Sequence, residues 1–198
     1  MYAEAARGIA DHMIAKSAPN KLTYLAELSS PAHKTKVHKM DHLACFAGGM
    51  FALGAATGVF AGTTLTHTSH PHLSHSPSLS PADDPERETS MWTLGKEVTA
   101  TCHESYARSP TKIGPEIMDF NPVRAHGNDF QSQASSFLLR PGSHLSSLAV
   151  SHLNQLISLS GTTETVESYF VLWRLTHDPI YREWGWEAFE VLISSPPS

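Results

Sequence analysis

Charge is scarce in this sequence of 198 residues. Asp, Glu, Lys and Arg make up 17% of it, against roughly 25% in an ordinary soluble domain. Ser, Thr and His fill the gap, not apolar residues. Acidic residues (19) outnumber Lys and Arg (14), giving a formal net charge of −5 with neutral histidine. There is no Lys/Arg run and no basic surplus, which argues against nucleic acid and anionic membrane as partners. Cysteine is equally sparse. Cys45 and Cys102 alone exclude a disulfide-rich mini-protein and a cysteine-cage zinc site. The pair is compatible with one disulfide or with two buried thiols. Gly-rich phosphate loops, G-x-S-x-G elbows and H-E-x-x-H motifs are all missing. The first residues, Met1-Tyr2-Ala3-Glu4-Ala5-Ala6, lack the basic region and apolar core of a signal peptide. No stretch shows convincing strand alternation, so the expected class is all-α. Apolar residues are not lacking: at 40% they are too many for a wholly disordered chain. The length fits one domain, or two at most.

Helical spacing appears at several places. Ala6, Ile9, Ala10, Met13 and Ile14 share one face and predict a helix over 3–16, ended by Lys16-Ser17-Ala18-Pro19-Asn20. Residues 21–39 read as a polar connection. Residues 43–66 carry no charge and are long enough to cross a bilayer. Gly48, Gly49, several Thr and few large aliphatics make the stretch weakly hydrophobic, which favours a buried helix over about 41–56. Asp41 near its start suits the helix dipole. Leu94, Val98, Cys102 and Tyr106 form a stripe at i+4 steps over 91–107. Residues 108–136 are punctuated by Pro110, Gly114, Pro115, Pro122 and Gly127 and read as irregular. A helical hairpin closes the chain. Its first arm covers about 164–176. Asp178-Pro179 then reads as N-cap and N1 of an arm with Tyr181, Trp184, Gly185, Ala188, Phe189 and Leu192 on one face.

The tract 63–82 is low-complexity and reads as a loop. Its His67, His70, His72 and His75 are metal-ligating residue types. Without a helical or strand period they have no fixed geometry, and a chance His-rich loop is the simpler reading.

Carboxylates beside Pro, Arg and aromatics carry the chemistry. Four blocks hold them: Lys39-Met40-Asp41-His42-Leu43-Ala44-Cys45-Phe46-Ala47-Gly48-Gly49-Met50; Thr101-Cys102-His103-Glu104-Ser105-Tyr106; Gly114-Pro115-Glu116-Ile117; and Glu164-Thr165-Val166-Glu167-Ser168. Taken singly, each carboxylate is a cap or a solvated charge. Taken together they suit glycosidic cleavage, which needs one carboxyl as acid and another as base or nucleophile.

These blocks resemble the class I α-1,2-mannosidases, glycoside hydrolase family 47, which trim mannose from N-linked glycans in the ER and Golgi. The similarity runs from Met1 to about Leu192 with two interruptions. It also includes Met1-Tyr2-Ala3-Glu4-Ala5, Leu22-Thr23-Tyr24-Leu25-Ala26-Glu27-Leu28, Glu97-Val98-Thr99-Ala100, Leu138-Leu139-Arg140-Pro141 and the stretch from Glu164 through Glu187. His103-Glu104-Ser105-Tyr106 resembles the Golgi and fungal secretory branch more than the ER branch. The resemblance implies an (α/α)7 barrel, inverting hydrolysis, a bound Ca²⁺ ion and a high-mannose N-glycan as substrate. It implies a disulfide between Cys45 and Cys102, which fits the oxidising lumen of the secretory pathway, Golgi or ER. It makes Glu164 the candidate catalytic base and Glu116 a second active-site carboxylate. Asp41, His42, Arg140 and Glu167 match substrate-pocket positions. In an inverting enzyme, acid and base stand about 6.5–9.5 Å apart with a water between them.

Two departures matter. In the family, Arg-Pro-Glu-Thr-Val-Glu-Ser is continuous. Here the uncharged residues 142–163 separate Pro141 from Glu164, and a retained intron is the expected origin. The tract 63–82 is similarly long for the family's loop. The resemblance also makes 1–192 a partial catalytic domain followed by a non-family tail, 193–198. The family's general acid and membrane anchor or signal would then lie upstream, and its Ca²⁺-binding Thr downstream. On that expectation the chain as written is inactive alone. A non-catalytic glycan-binding remnant is the alternative, although keeping Glu116, Glu164 and Glu167 together favours the enzyme lineage. A membrane fragment built on 43–66 is the third reading.

Overall fold

The computed structural model describes residues 1–30, 32, 35–58, 91–109, 112–133 and 163–194. The tract 63–82, Arg140, Pro141 and residues 142–162 lie outside the described residues, as do His67, His70, His72 and His75.

The described chain is mostly helical. Helix α1 (Tyr2–His12) leads into β1 (Ile14–Lys16), β2 (Thr23–Leu25), β3 (Glu27–Leu28), β4 (Lys36–Val37) and β5 (Lys39–Asp41). A 3-10 turn (His42–Cys45) opens α2 (Phe46–Ala56). After α3 (Met91–Arg108) come β6 (Ile117–Phe120), β7 (Phe130–Gln133), α4 (Thr163–Thr176) and α5 (Ile180–Ser194).

The strands correct the all-α expectation. They form two antiparallel pairs, β1 with β2 and β3 with β4, and one antiparallel sheet ordered β5-β6-β7. The predicted helix over 3–16 therefore stops early. Ile14 leaves it to pair with Leu25, and Ala26 N–H donates to Met13 O at 2.8 Å. The 21–39 connection contributes three strands, and the 108–136 segment two. Two- to four-residue strands carry almost no period-2 signal. In β2 all three residues are buried, so nothing alternates.

Within the uncharged stretch, α2 is a largely buried helix, with Phe46 and Leu53 left exposed. Ala47, Gly48, Gly49, Phe51, Ala52 and Gly54 of α2 are buried, as expected of a helix apolar on every side. It packs between α3 and α4. The approach to α3 is close: a Cβ at Gly95 would sit 2.8 Å from Gly48 O and 2.9 Å from Ala52 N. Both are main-chain atoms, so any larger residue must separate the helices. Among the described residues, no helix is long and apolar enough to cross a membrane.

Two apolar clusters result. The first joins Tyr24, Met40, Phe51, Val98, Met118 and Phe120 beneath α1, whose Ala6, Ile9 and Ala10 face it. Tyr24 stacks on Phe120 at 3.9 Å, and burial pushes its hydroxyl up to about 12. The second joins Ala52, Tyr169, Leu172 and Tyr181 with Trp184, and holds the α4–α5 hairpin. Asp178 caps α5 as the sequence predicts: its Oδ1 accepts the Ile180 N–H at 3.1 Å.

Candidate active site

The site grows from the end of one sheet and the start of one helix. In the sheet Asp41 pairs with Ile117. One residue further on, His42 N–H donates to Glu116 O at 2.8 Å. The ladder thus sets Asp41 and His42 beside Glu116, although the sequence puts them far apart. Helix α4 docks its first turns on the 3-10 turn through Ser168. The Ser168 hydroxyl donates to Cys45 O at 2.8 Å and accepts the Gly49 N–H at 2.9 Å. This clamp seats Glu164 and Thr165 against His42.

Helix α3 supplies the third wall. Cys102 is bonded to Cys45, with Cα atoms 5.9 Å apart, so the disulfide the resemblance implies is present. Tyr106 follows one helical turn later on the same face. Its hydroxyl lies 2.7 Å from His42 Nε2, and the Thr165 hydroxyl lies 3.3 Å from the same nitrogen. Gly114 makes the fit possible: a Cβ there would meet Tyr106 Cε2 at 2.5 Å and His42 Nε2 at 2.9 Å.

On the opposite edge of the ring, His42 Nδ1 stands 3.7 Å from Glu164 Oε2. That is ion-pair range, beyond a hydrogen bond. Both atoms are buried and neither has a hydrogen-bond partner. Burial holds the His42 imidazole below its ordinary value, while the Glu164 carboxylate pulls it back up in part. Burial pushes the Tyr106 hydroxyl well above the usual tyrosine range, so it stays protonated.

The chain matches the model of glycosyl hydrolase family 47 over residues 1–195. It belongs to glycosyl hydrolase family 47. Among the relatives, the mannosyl-oligosaccharide alpha-1,2-mannosidase IA of Drosophila melanogaster is 38% identical over 188 residues, covering 95% of this chain and 20% of that protein. The mannosyl-oligosaccharide 1,2-alpha-mannosidase of Candida albicans is 37% identical over 194 residues, covering 98% of this chain and 28% of that protein. The chain therefore spans between a fifth and just over a quarter of the length of these relatives. Among solved structures, an alpha-1,2-mannosidase from Trichoderma reesei shares the fold with a TM-score of 0.54 at 19% identity, covering 94% of this chain and 31% of that one.

Within this family 47 chain, the structure brings Asp41, His42, Glu116 and Glu164 to one locus. They are not equally exposed. His42 is buried, the Glu164 side chain retains 21% exposure, and Asp41, Glu116 and Glu167 face solvent. Asp41 is ion-paired to Lys39 at 3.3 Å, and Lys39 also holds Glu27 at 3.1 Å. The Glu27 contact leads in raising the Lys39 ammonium above its ordinary value. Arg140, the remaining sequence-predicted pocket residue, is outside the described residues.

Calcium takes about six to eight oxygen ligands. Among the described residues no three His, Cys, Asp or Glu side chains group as a metal site. At this locus the Asp41 carboxylate is engaged by Lys39 and the Glu164 carboxylate faces His42, so the described side chains do not converge into the oxygen set that ion needs.

Sequence reasoning placed Tyr106 on an apolar stripe and at the end of the Thr101–Tyr106 block, and Thr165 between two glutamates of another block, but gave neither a role. The i+4 step from Cys102 was the available signal for Tyr106. It also missed a cavity of about 670 Å³ that Tyr106 lines together with His103, Lys112, Tyr169, Trp184 and Glu187. There the His103 ring stacks on Trp184 at 4.0 Å, and burial lowers its basicity.

Proposed function

We propose that this chain carries part of the active site of an inverting α-1,2-mannosidase that removes terminal α-1,2-linked mannose from high-mannose N-glycans. The observation that carries the reading is Glu164: a half-buried carboxylate in the first turn of α4, backed by His42, at the meeting point of the motif stretches. The family and the names of these relatives support the substrate class. In this reading Glu164 is the base that takes a proton from the attacking water. Glu116 is the second active-site carboxylate. Asp41, His42, Arg140 and Glu167 contact the sugar. The fold supporting these residues is part of an (α/α)7 barrel. The Cys45–Cys102 bond supports an oxidising compartment, the Golgi or ER lumen. Residues 142–163 are an extraneous insert in this reading, since they divide the motif that ends in Glu164.

Anomer-resolved NMR of mannose release from a high-mannose N-glycan tests this, with Ca²⁺ present. The assay compares the chain as given with a version in which family sequence is restored on both sides and 142–163 is deleted. The expected outcome is β-mannose from the restored protein, at least 10²-fold slower in Glu164→Gln, in keeping with the usual contribution of a general base, and none from the chain alone. Release that does not depend on Glu164, or an α product, overturns the reading.

A further inference from the structure

We propose that Tyr106 is a positioning residue: by donating its O–H to His42 Nε2 it fixes the imidazole as the Nδ1–H tautomer, aimed at the Glu164 carboxylate. The inference rests on the reading of Glu164 as the base.

A neutral imidazole has one donor nitrogen and one acceptor nitrogen. Around His42 the surroundings of the two are unlike. Nε2 is met by two hydroxyls, Tyr106 at 2.7 Å and Thr165 at 3.3 Å. Nδ1 faces only Glu164 Oε2, at 3.7 Å, in a place closed to water. With the proton on Nε2, a bare nitrogen lone pair would confront a carboxylate oxygen inside the protein, and two buried acceptors facing each other are costly. With the proton on Nδ1, an N–H points at the carboxylate and Nε2 accepts from Tyr106. A hydroxyl can serve either tautomer, so the carboxylate sets the preference and Tyr106 completes it. The backbone at Gly114 packs against both rings: a Cβ there would meet Tyr106 Cε2 at 2.5 Å and His42 Nε2 at 2.9 Å.

The consequence falls on Glu164. A small inward movement closes the Nδ1–H···Oε2 gap to a hydrogen bond. That engages Oε2 with His42 and leaves Oε1 to accept the proton from water. Tyr106 touches neither substrate nor water in this scheme; it acts through His42.

Long-range ¹H–¹⁵N NMR of the histidine-labelled chain reads the tautomer directly, with the His42 signals assigned by their loss in His42→Gln. The wild-type chain is expected to show a protonated Nδ1 and a hydrogen-bonded, unprotonated Nε2. Tyr106→Phe keeps the ring but removes the O–H. It is expected to lose the hydrogen-bond shift at Nε2 and to gain a population protonated there. Thr165→Val is expected to leave the wild-type pattern, because its hydroxyl is the more distant of the two. A wild-type Nε2–H tautomer, or a Phe variant indistinguishable from wild type, overturns the inference. Should the Phe variant not fold, the wild-type and Thr165→Val spectra decide alone, with a changed pattern in Thr165→Val assigning the role to Thr165 and overturning it. Glu164→Gln with undiminished mannose release in the restored protein would instead overturn the base reading, whatever the tautomer.

Discussion

The missing side chain at position 114 determines how near Tyr106 and His42 can stand to the chain that carries Glu116. A methyl group there has no space, since the atoms it would meet belong to two buried rings wedged between α3 and α4. Gly114→Ala is expected to cost about 1–3 kcal/mol, the usual range for overpacking, and to move the His42 ring signals in NMR. A stability and spectrum equal to wild type would contradict the fit described above. Asp129 tests the opposite situation, a buried charge well supplied with partners. It accepts from Ser17 at 2.7 Å, from the Asn20 side chain at 2.7 Å and backbone at 2.9 Å, and from Arg108 at 2.9 Å. Burial alone would raise its carboxyl, but these bonds outweigh burial and hold it well below the usual carboxylate range. A folded value below the unfolded one adds stability above roughly pH 4, and that stability is lost as pH falls through the folded value. Asp129→Asn is expected to destabilise the fold by about 3 kcal/mol, the low end for a broken buried pair because Arg108 is partly solvated. Denaturant melts from pH 6 to pH 2 should show a shallower loss in the variant, and parallel curves would exclude this role. Neither residue was legible beforehand. Gly127-Asn128-Asp129 reads as an ordinary turn, and a glycine beside a proline as mere punctuation.

Among the elements, legibility followed length. The α3 stripe of Leu94, Val98, Cys102 and Tyr106 is wholly buried, as its i+4 spacing predicts. The α4–α5 hairpin follows from Asp178-Pro179 and from the buried Tyr181 and Ala188. Phe189, predicted on that same face, is exposed at 46%, because the stripe is wider than the surface α5 covers. The short strands escaped because pairing across the chain, not local pattern, forms them: Asp41 becomes strand only by meeting Ile117. The disulfide is the strongest tie between elements, joining the 3-10 turn to α3 across 57 residues. Replacing both cysteines by Ser is expected to cost roughly 4 kcal/mol in the chain-entropy account. Denaturant unfolding under non-reducing conditions checks this. A loss below about 1 kcal/mol would mean that the Ser168 clamp and helix packing hold the turn unaided.

At the scale of the whole molecule, the sequence showed the family but not how its divided motif is assembled. Helix α4 begins at Thr163, so the residue preceding Glu164 in the helix comes from the segment that separates it from Pro141. If 142–163 is a retained intron, sequencing of the transcript will find messages joining Pro141 to Glu164. A message that always keeps the segment would make it a genuine part of the protein. Trp186, Phe189 and Ile193 lie exposed along α5, with Phe170 exposed on α4. Exposed apolar side chains on adjoining helices mark a surface for further packing, which helical periodicity reports as core whether or not a neighbour is present.

Both sulfur-bearing residues of the bridge are wholly shielded, with Cys45 and Cys102 at 0% exposure. A thiolate in solution can attack only when the 3-10 turn and α3 part. Tyr106 and His42 sit on those same two pieces, one helical turn away. The speed at which a reductant cleaves the bridge is therefore a clock, counting how often the pocket behind Glu164 comes apart.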